Sequence, residues 1–309
     1  MRCPKGPGYE SVMDVTVEDF AASVGTSGPV AVVGSGSHRG IPGGVRVVTA
    51  PRGIDRIDVA EMVIECGAST PVDEVLSELA AVGQTVSVPP GGTIGGALAV
   101  GHSDVTRLGH GAVRDVLLQT HYVSASGKAT KAGGPTVKNV SGFDLCRLFL
   151  GSYGTLGFFG DVILRTRPLP RFSAWFTSDR DPFALLATLY RPVSLLWNGE
   201  MTWVRLDGNA SDVEKTVRKY GLREVDGPPA MPRSCRWSLP PSELHSLKTT
   251  QPGTFVAEIG VGAVHHTVGQ ERQPADAAKR ALHDRIKMQF DPTGRLNPGV
   301  DPLTVRNGA

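Results

Sequence analysis

Three clusters of glycine limit how this chain can fold more than any other feature of its sequence. They read GSGSHRGIPGG from Gly34, PPGGTIGGALAVG from Pro89 and GSYGTLGFFG from Gly151. Small residues at this density let backbone come close to something, at a cost of about 0.5–1 kcal/mol for each glycine inside a helix. The first cluster follows a strand-like run from Val30 to Val33. Successive amides in such a turn can converge on a phosphate oxygen, with Ser35 and Ser37 adding hydroxyls and Arg39 a charge. In the second cluster Thr93 is placed to cap a helix from Ile94 to Val100, and a helix N-terminus offers free amides and the positive end of a dipole to an anion. The alternatives are a plain glycine turn for the first and tight helix packing for the second. A dinucleotide fingerprint fits poorly, because Arg39 holds the third glycine position of GxGxxG and Pro42-Gly43-Gly44 stops a helix there.

The rest of the chain bounds the class. Net charge is +2 with no basic run interleaved with aromatics, so nothing indicates nucleic acid as a partner. No apolar run is long enough for direct membrane insertion, and no apolar segment follows the basic N-terminus as a signal peptide requires. The cysteines Cys3, Cys66, Cys146 and Cys235 are far apart, form no CxxC pair and read as unpaired thiols of a cytoplasmic protein, with no metal or cluster site.

Periodicity predicts a helix over Thr70–Val82, with Thr70 as cap, Pro71 in the first turn and Val72, Val75, Leu76 and Leu79 inward. Strands follow at Val116–Ser124 and Asp161–Arg167, with a short helix capped by Asp144 between them. Pro168 and Pro170 mark a domain boundary. Beyond them the order strand, helix, strand, strand, helix, strand indicates a small ferredoxin-like domain. Its second helix starts with a capping box at Ser211 and Glu214. The proline-rich Gly227–Pro241 reads as a long loop. A last helix over Asp276–Phe290 turns Ala278, Leu282 and Ile286 inward, and the tail FDPTGRLNPG has too many turn residues for a helix.

Taken in order, these motifs resemble the FAD-binding family of vanillyl-alcohol oxidase and p-cresol methylhydroxylase (PCMH type), and within it the glycolate oxidase subunits. GSGSHRG, PGGTIGGALAVG, GAVRD, KNVSGFD with GSYGTLG, and FDPTGRLNPG carry the resemblance, which runs from about Val15 to Gly299. It implies an α+β chain: a two-lobed PCMH-type FAD-binding domain over 1–170, a ferredoxin-like α/β cap over 171–289, and a tail over 290–309 returning to the flavin site. The cofactor is then non-covalent FAD. Gly34, Ser35, Gly36, Ser37 and His38 would hold the pyrophosphate. Pro90, Gly92, Thr93, Gly95 and Gly96, then His102, Ser103 and Asp104, would run beside the ribityl chain and adenosine diphosphate. Gly154, Thr155, Leu156 and Gly157 would close the trough, and Asn297 would lie near the isoalloxazine.

The substrate side is thinner. Related 2-hydroxyacid dehydrogenases often carry HxGDGNxH, and the corresponding stretch here is Glu258-Ile259-Gly260-Val261-Gly262-Ala263-Val264-His265. Both glycines and the last histidine remain. The first histidine is Glu258, which with His265 and His266 could still bind a divalent ion. Neighbouring histidines on a strand point opposite ways, so a metal is not expected and the stretch otherwise reads as an edge strand with a partly exposed histidine. His265 and His102 are the candidate bases, while Arg107, Arg114, Arg205 and Arg236 are candidates for holding a carboxylate. The resemblance implies oxidation of a small 2-hydroxy acid of the glycolate or D-lactate class. Electrons would pass to a non-nicotinamide acceptor through a larger flavoprotein subunit and an iron–sulfur subunit, with any membrane association made through those partners. The alternative is an FAD-binding accessory subunit whose partner does the chemistry.

Overall fold

The computed structural model describes residues 14–35, 41–134, 144–232, 234–247, 254–270 and 276–304. They fall into two compact units. One draws on 1–104, 112–169 and 274–305, the other on 105–111 and 170–273.

The first unit is built on a five-stranded antiparallel sheet. Its strands are β3 (Ile54–Asp58), β4 (Val63–Gly67), β6 (Leu117–Val123), β7 (Ala129–Gly133) and β8 (Phe158–Arg165), in the order β3-β4-β8-β6-β7. Central β8 is buried on both faces up to Arg165, so it shows no one-sided alternation. β1 (Val30–Val32) and β2 (Arg46–Val48) form a separate parallel pair, and β5 (Gln84–Thr85) pairs with β9 (Arg167–Pro168). The helix Val72–Ala81 buries Val72, Val75 and Leu79. Thr70 does not cap it: its hydroxyl exchanges 3.0 Å bonds with the backbone of Gly53, and Pro71 occupies the cap position. An unforeseen helix, Val17–Val24, opens on a capping box between Thr16 and Asp19.

The helix Ala277–Phe290 belongs to this unit rather than to the second. Ala278 and Leu282, expected inside, are exposed. Ile286 and Phe290 are the residues packed on the core, with the Phe290 ring 5.7 Å from Phe149. The polar Lys287 and Arg280 fix this rotation: Lys287 Nζ donates to Thr155 O at 2.7 Å, and Arg280 pairs with Asp301 at 2.9 Å.

The second unit is one antiparallel sheet of seven strands. β10 (Phe172–Ser178), β11 (Ser194–Trp197), β12 (Thr202–Gly208) and β13 (Arg223–Val225) enclose the helices Pro182–Thr188 and Ala210–Tyr220 in sequence. Their order, β13-β10-β12-β11, is that of two interleaved split βαβ units. Three further strands, β14 (Cys235–Ser238), β15 (Phe255–Glu258) and β16 (Ala263–His266), extend the sheet beyond β11 in the order β15-β16-β14. The proline-rich stretch therefore carries an edge strand, and β16 lies inside the sheet. The predicted capping box does not form, because Asn209 holds the cap position one residue before Ala210.

The first unit is tied together from its C-terminal end. Arg295 is 5% exposed and donates to five backbone oxygens, those of Val24, Gly25, Ser27, Gly28 and Ala125, at 2.7–3.1 Å. Arg46 also reaches Val24 and Ser27, so Gly25, Gly28 and Ala125 depend on Arg295. Arg295→Met is expected to destabilise the unit by about 3 kcal/mol or more in denaturant unfolding. Arg295→Lys should recover little, since one ammonium cannot serve carbonyls on both segments.

Candidate functional site

The three glycine clusters meet in the first unit. A Cβ on Gly34 would lie 2.6 Å from Thr93 Oγ1, and one on Gly92 would lie 3.7 Å from Ser35 Oγ, so the first loop rests on the start of the second cluster. At the other end of the helix Ile94–Val100, Gly151 N donates to Leu98 O at 3.3 Å and Tyr153 N to Ala99 O at 2.9 Å. The tail joins the same place. Asn297, 5% exposed, accepts from Val32 N at 3.2 Å and donates from Nδ2 to Tyr153 O at 2.7 Å, while its own N bonds Val30 O at 2.9 Å. One amide thus links the strand before the first cluster to the turn of the third.

Asp291 and Lys287 hold that tail in position. Asp291 accepts from Arg295 N at 3.0 Å, Leu296 N at 2.8 Å and Lys287 Nζ at 2.6 Å. FDPTGRLNPG is therefore a turn closed on Asp291 that aims Arg295 and Asn297 into the unit. Sequence reading singled out Asn297 but missed Asp291, Arg295 and Lys287. Their spacing alone gave no signal, since a Lys four residues before an Asp is the less favourable order for a helical pair.

The clusters differ in what their small residues are for. Thr93 caps its helix as expected, accepting from Gly96 N at 3.2 Å. The remaining first amides are also taken: Ile94 N donates to Thr70 O at 2.9 Å and Gly95 N to Ala68 O at 2.7 Å. This corrects the expected anion seat on that helix end, whose donors already serve backbone. Gly95 is small because a Cβ there would lie 2.8 Å from Ala68 Cβ. Gly154 and Gly157 make room in the same way, for Asn297 Nδ2 at 2.6 Å and the Tyr122 ring at 2.8 Å. Thr155 is buried with its hydroxyl on Ser152 O at 2.8 Å, and Leu156 is buried in the core.

Gly34, Ser35, Pro90 and Gly92 are instead exposed and border the Gly34–Thr93 contact. Their small, open edge fits a ligand that approaches backbone closely, as a diphosphate does. The hydroxyl of Ser152 is buried without a hydrogen-bond partner, next to the turn that would close the trough. His102, Ser103 and Asp104 are half-buried after the helix, and Ser103 Oγ accepts from Val113 N at 3.1 Å. Gly36, Ser37 and His38 lie outside the described residues, as does most of KNVSGFD.

In the second unit His265 Nε2 lies 2.9 Å from Glu258 Oε1, with Arg236 Nη2 3.7 Å from the same oxygen. His266 points away from them. It stacks on Trp237 at 4.0 Å, and its Nδ1 accepts from Val268 N at 2.8 Å. Burial holds the His266 imidazole below its ordinary pKa. Of the arginine candidates, Arg205 is engaged by Ser173 at 3.0 Å and Asp207 at 3.3 Å, and Arg114 is largely exposed. Sequence reading also missed His110, whose Nε2 lies 2.8 Å from Asp207 Oδ2. Burial alone would raise the Asp207 pKa, but hydrogen bonds from His110 and Ser173 and the charges of Arg205 and His110 outweigh it, giving about 2.

Residues 17–133 match the family described as an FAD binding domain. The chain is 28% identical to glycolate oxidase subunit GlcE of Escherichia coli, over 92% of this chain and 95% of that protein. It is 30% identical to glycolate oxidase subunit GlcD of Bacillus subtilis over 40% of this chain and 23% of that one. With a D-lactate dehydrogenase of Archaeoglobus fulgidus it shares 32% over 37% of this chain and 27% of the relative. Two solved structures of alkyldihydroxyacetonephosphate synthase share the fold. Their TM-scores are 0.64 and 0.67 at 13% and 12% identity, over 91% and 92% of this chain and 73% and 75% of theirs. Residues 17–133 thus carry an FAD binding domain, and the cofactor is FAD. The chain is an oxidoreductase related to glycolate oxidase subunits and D-lactate dehydrogenases.

Packing gives one prediction and charge a second. Gly95→Ala meets backbone and should cost about 2 kcal/mol in urea unfolding, with flavin loss as a consequence. Gly34→Ala meets only the Thr93 side chain and should lower flavin content with about 1 kcal/mol of destabilisation. The second concerns pH. The folded-state pKa of Asp207 is depressed, so its contribution is complete above the ordinary 3.8 and is lost as pH falls towards about 2. The difference in stability between wild type and Asp207→Asn should thus be roughly 2 kcal/mol at neutral pH and shrink across that window in acid.

Proposed function

We propose that this chain oxidises a small 2-hydroxy acid of the glycolate or D-lactate class with FAD and passes the electrons to a non-nicotinamide acceptor through partner subunits. The observation that carries the reading is the meeting of all three glycine clusters and the tail amide of Asn297 in one unit. The names of the relatives, subunits of a glycolate oxidase and D-lactate dehydrogenases, supply the substrate class.

In this reading the first unit holds the cofactor and the second is the substrate or partner cap. Gly34, Ser35, Pro90 and Gly92 line the diphosphate side, and Thr93, which accepts from Gly96 N, supports the first loop. His102, Ser103 and Asp104 border the cofactor, and Gly154–Gly157 with Asn297 shape the trough around it. Gly95 contributes by letting its helix approach Ala68. FAD, when bound, supplies the two-electron acceptor for oxidation at the carbinol carbon. The chain's own part is to orient the acid and take the hydroxyl proton. His265 is the proposed base and His102 a cofactor-side neighbour that can relay a proton. A larger flavoprotein subunit and an iron–sulfur subunit are the proposed partners. Among the described residues no helix is long and apolar enough to cross a membrane, and any membrane association is assigned to those partners.

A second reading, an FAD-binding accessory subunit, is favoured by the replacement of the related motif's first histidine by Glu258. Anaerobic addition of glycolate or D-lactate separates the two. Bleaching of the flavin in the purified chain supports catalysis here. Bleaching only after co-expression with partner subunits supports the accessory role. No response in either preparation overturns both. Acid precipitation should release the flavin into the supernatant, as expected of a non-covalent cofactor.

A further inference from the structure

Three ionisable side chains gather where β14, β15 and β16 adjoin. Arg236 stands directly opposite His265 in the β14–β16 pairing, and Glu258 ends β15. Glu258 is 2% exposed; its Oε1 bonds His265 Nε2 at 2.9 Å, and its Oε2 is buried with no hydrogen-bond partner. His265 keeps a fifth of its side-chain surface open (20%), and among the described residues its other ring nitrogen makes no hydrogen bond. Burying a carboxylate costs several kcal/mol even when it is paired. Nothing in the strand calls for that cost, since Phe255, Val256 and Ala257 beside it are apolar core. A buried carboxylate behind a partly open imidazole fixes which nitrogen carries the proton and which presents a lone pair.

We propose that Glu258 is a positioning residue for His265. Its Oε1 accepts Nε2–H and so sets the tautomer in which Nδ1 is the base. The proposal rests on the hydroxyacid reading above and adds one atom-level step to it. The proton of the substrate hydroxyl passes to Nδ1, Nε2–H stays in place, and the imidazolium formed is paired with the Glu258 carboxylate. Arg236 lies 3.7 Å from the same oxygen as an ion-pair partner.

The test uses the FAD-loaded full chain labelled with 15N-histidine, as wild type, Glu258→Leu and Glu258→Gln, with His265→Gln to assign the signal. Long-range 1H–15N correlation reads the tautomer. Wild type should show a protonated Nε2 and an unprotonated Nδ1, and Glu258→Leu should lose that fixed state. Glu258→Gln, whose amide oxygen can still accept, should retain it. Anaerobic bleaching by D-lactate, in whichever preparation wild type responds, should slow about 100-fold in Glu258→Leu at equal flavin content. Glu258→Gln, which keeps the volume of the side chain, should slow about 10-fold because the imidazolium loses its counter-charge. An unchanged tautomer in Glu258→Leu overturns the proposal. So does bleaching within twofold of wild type in Glu258→Gln. Absence of bleaching by either glycolate or D-lactate in the FAD-loaded wild type, alone and with partner subunits, sinks the hydroxyacid reading and the proton step with it. The tautomer comparison would then still decide whether Glu258 orients the ring.

Discussion

The turn closed on Asp291 is the constraint on which the first unit depends. Its carboxylate gathers Arg295 N, Leu296 N and Lys287 Nζ, and that fixes where two longer side chains go. Arg295 then satisfies carbonyls on two separate segments, and Asn297 joins β1 to the turn before Gly154. A buried guanidinium is costly unless its donors are met. Here five oxygens meet them, so removing the side chain would strand acceptors that have no second donor. The glycine clusters can approach each other because this turn brings the strand and loop ends together.

The second unit works differently. Among its described residues there is no comparable tail, and its stability rests on a wide sheet with a core of Phe176, Leu195, Val204 and Trp237. Polar pairs are fixed at strand positions instead. His110 with Asp207 and His265 with Glu258 each set a half-buried imidazole against a carboxylate. The first pair pins the segment 105–111 onto this unit, together with the bond from Gly109 N to Val193 O at 3.1 Å. The second leaves one oxygen unmatched, which is why it reads as chemistry rather than as an anchor.

Much of this was legible in the residues. Thr93, Asp144 and Asp276 cap helices as their positions imply, because a cap is a local interaction between neighbours. The motif order indicated the family, and the four-strand pattern after Pro170 is present within the larger sheet. What misled was local evidence overruled at long range. Thr70 had a better partner in Gly53 than in its own helix. Leu282 was turned outward because Arg280 and Lys287 found ion pairs. Gly95 looked like room for a cofactor and is room for Ala68. No periodicity announces a carbonyl cage such as the one around Arg295, since its acceptors are backbone and carry no residue identity.

The cage has a consequence for biogenesis. Val24 and Arg295 are 271 positions apart, and the second unit lies between them in the chain. A ribosome therefore releases β1, the glycine loops and an entire second unit before the residues that clasp the first unit emerge. Contacts of such separation form late, after the entropy of a long closure has been met. Until then the sheet edges and the loop 24–28 wait without their donors, exposed to aggregation. Capture of flavin should accordingly be among the last events in maturation, and a chain truncated before Asp291 should emerge colourless however well its earlier strands have paired.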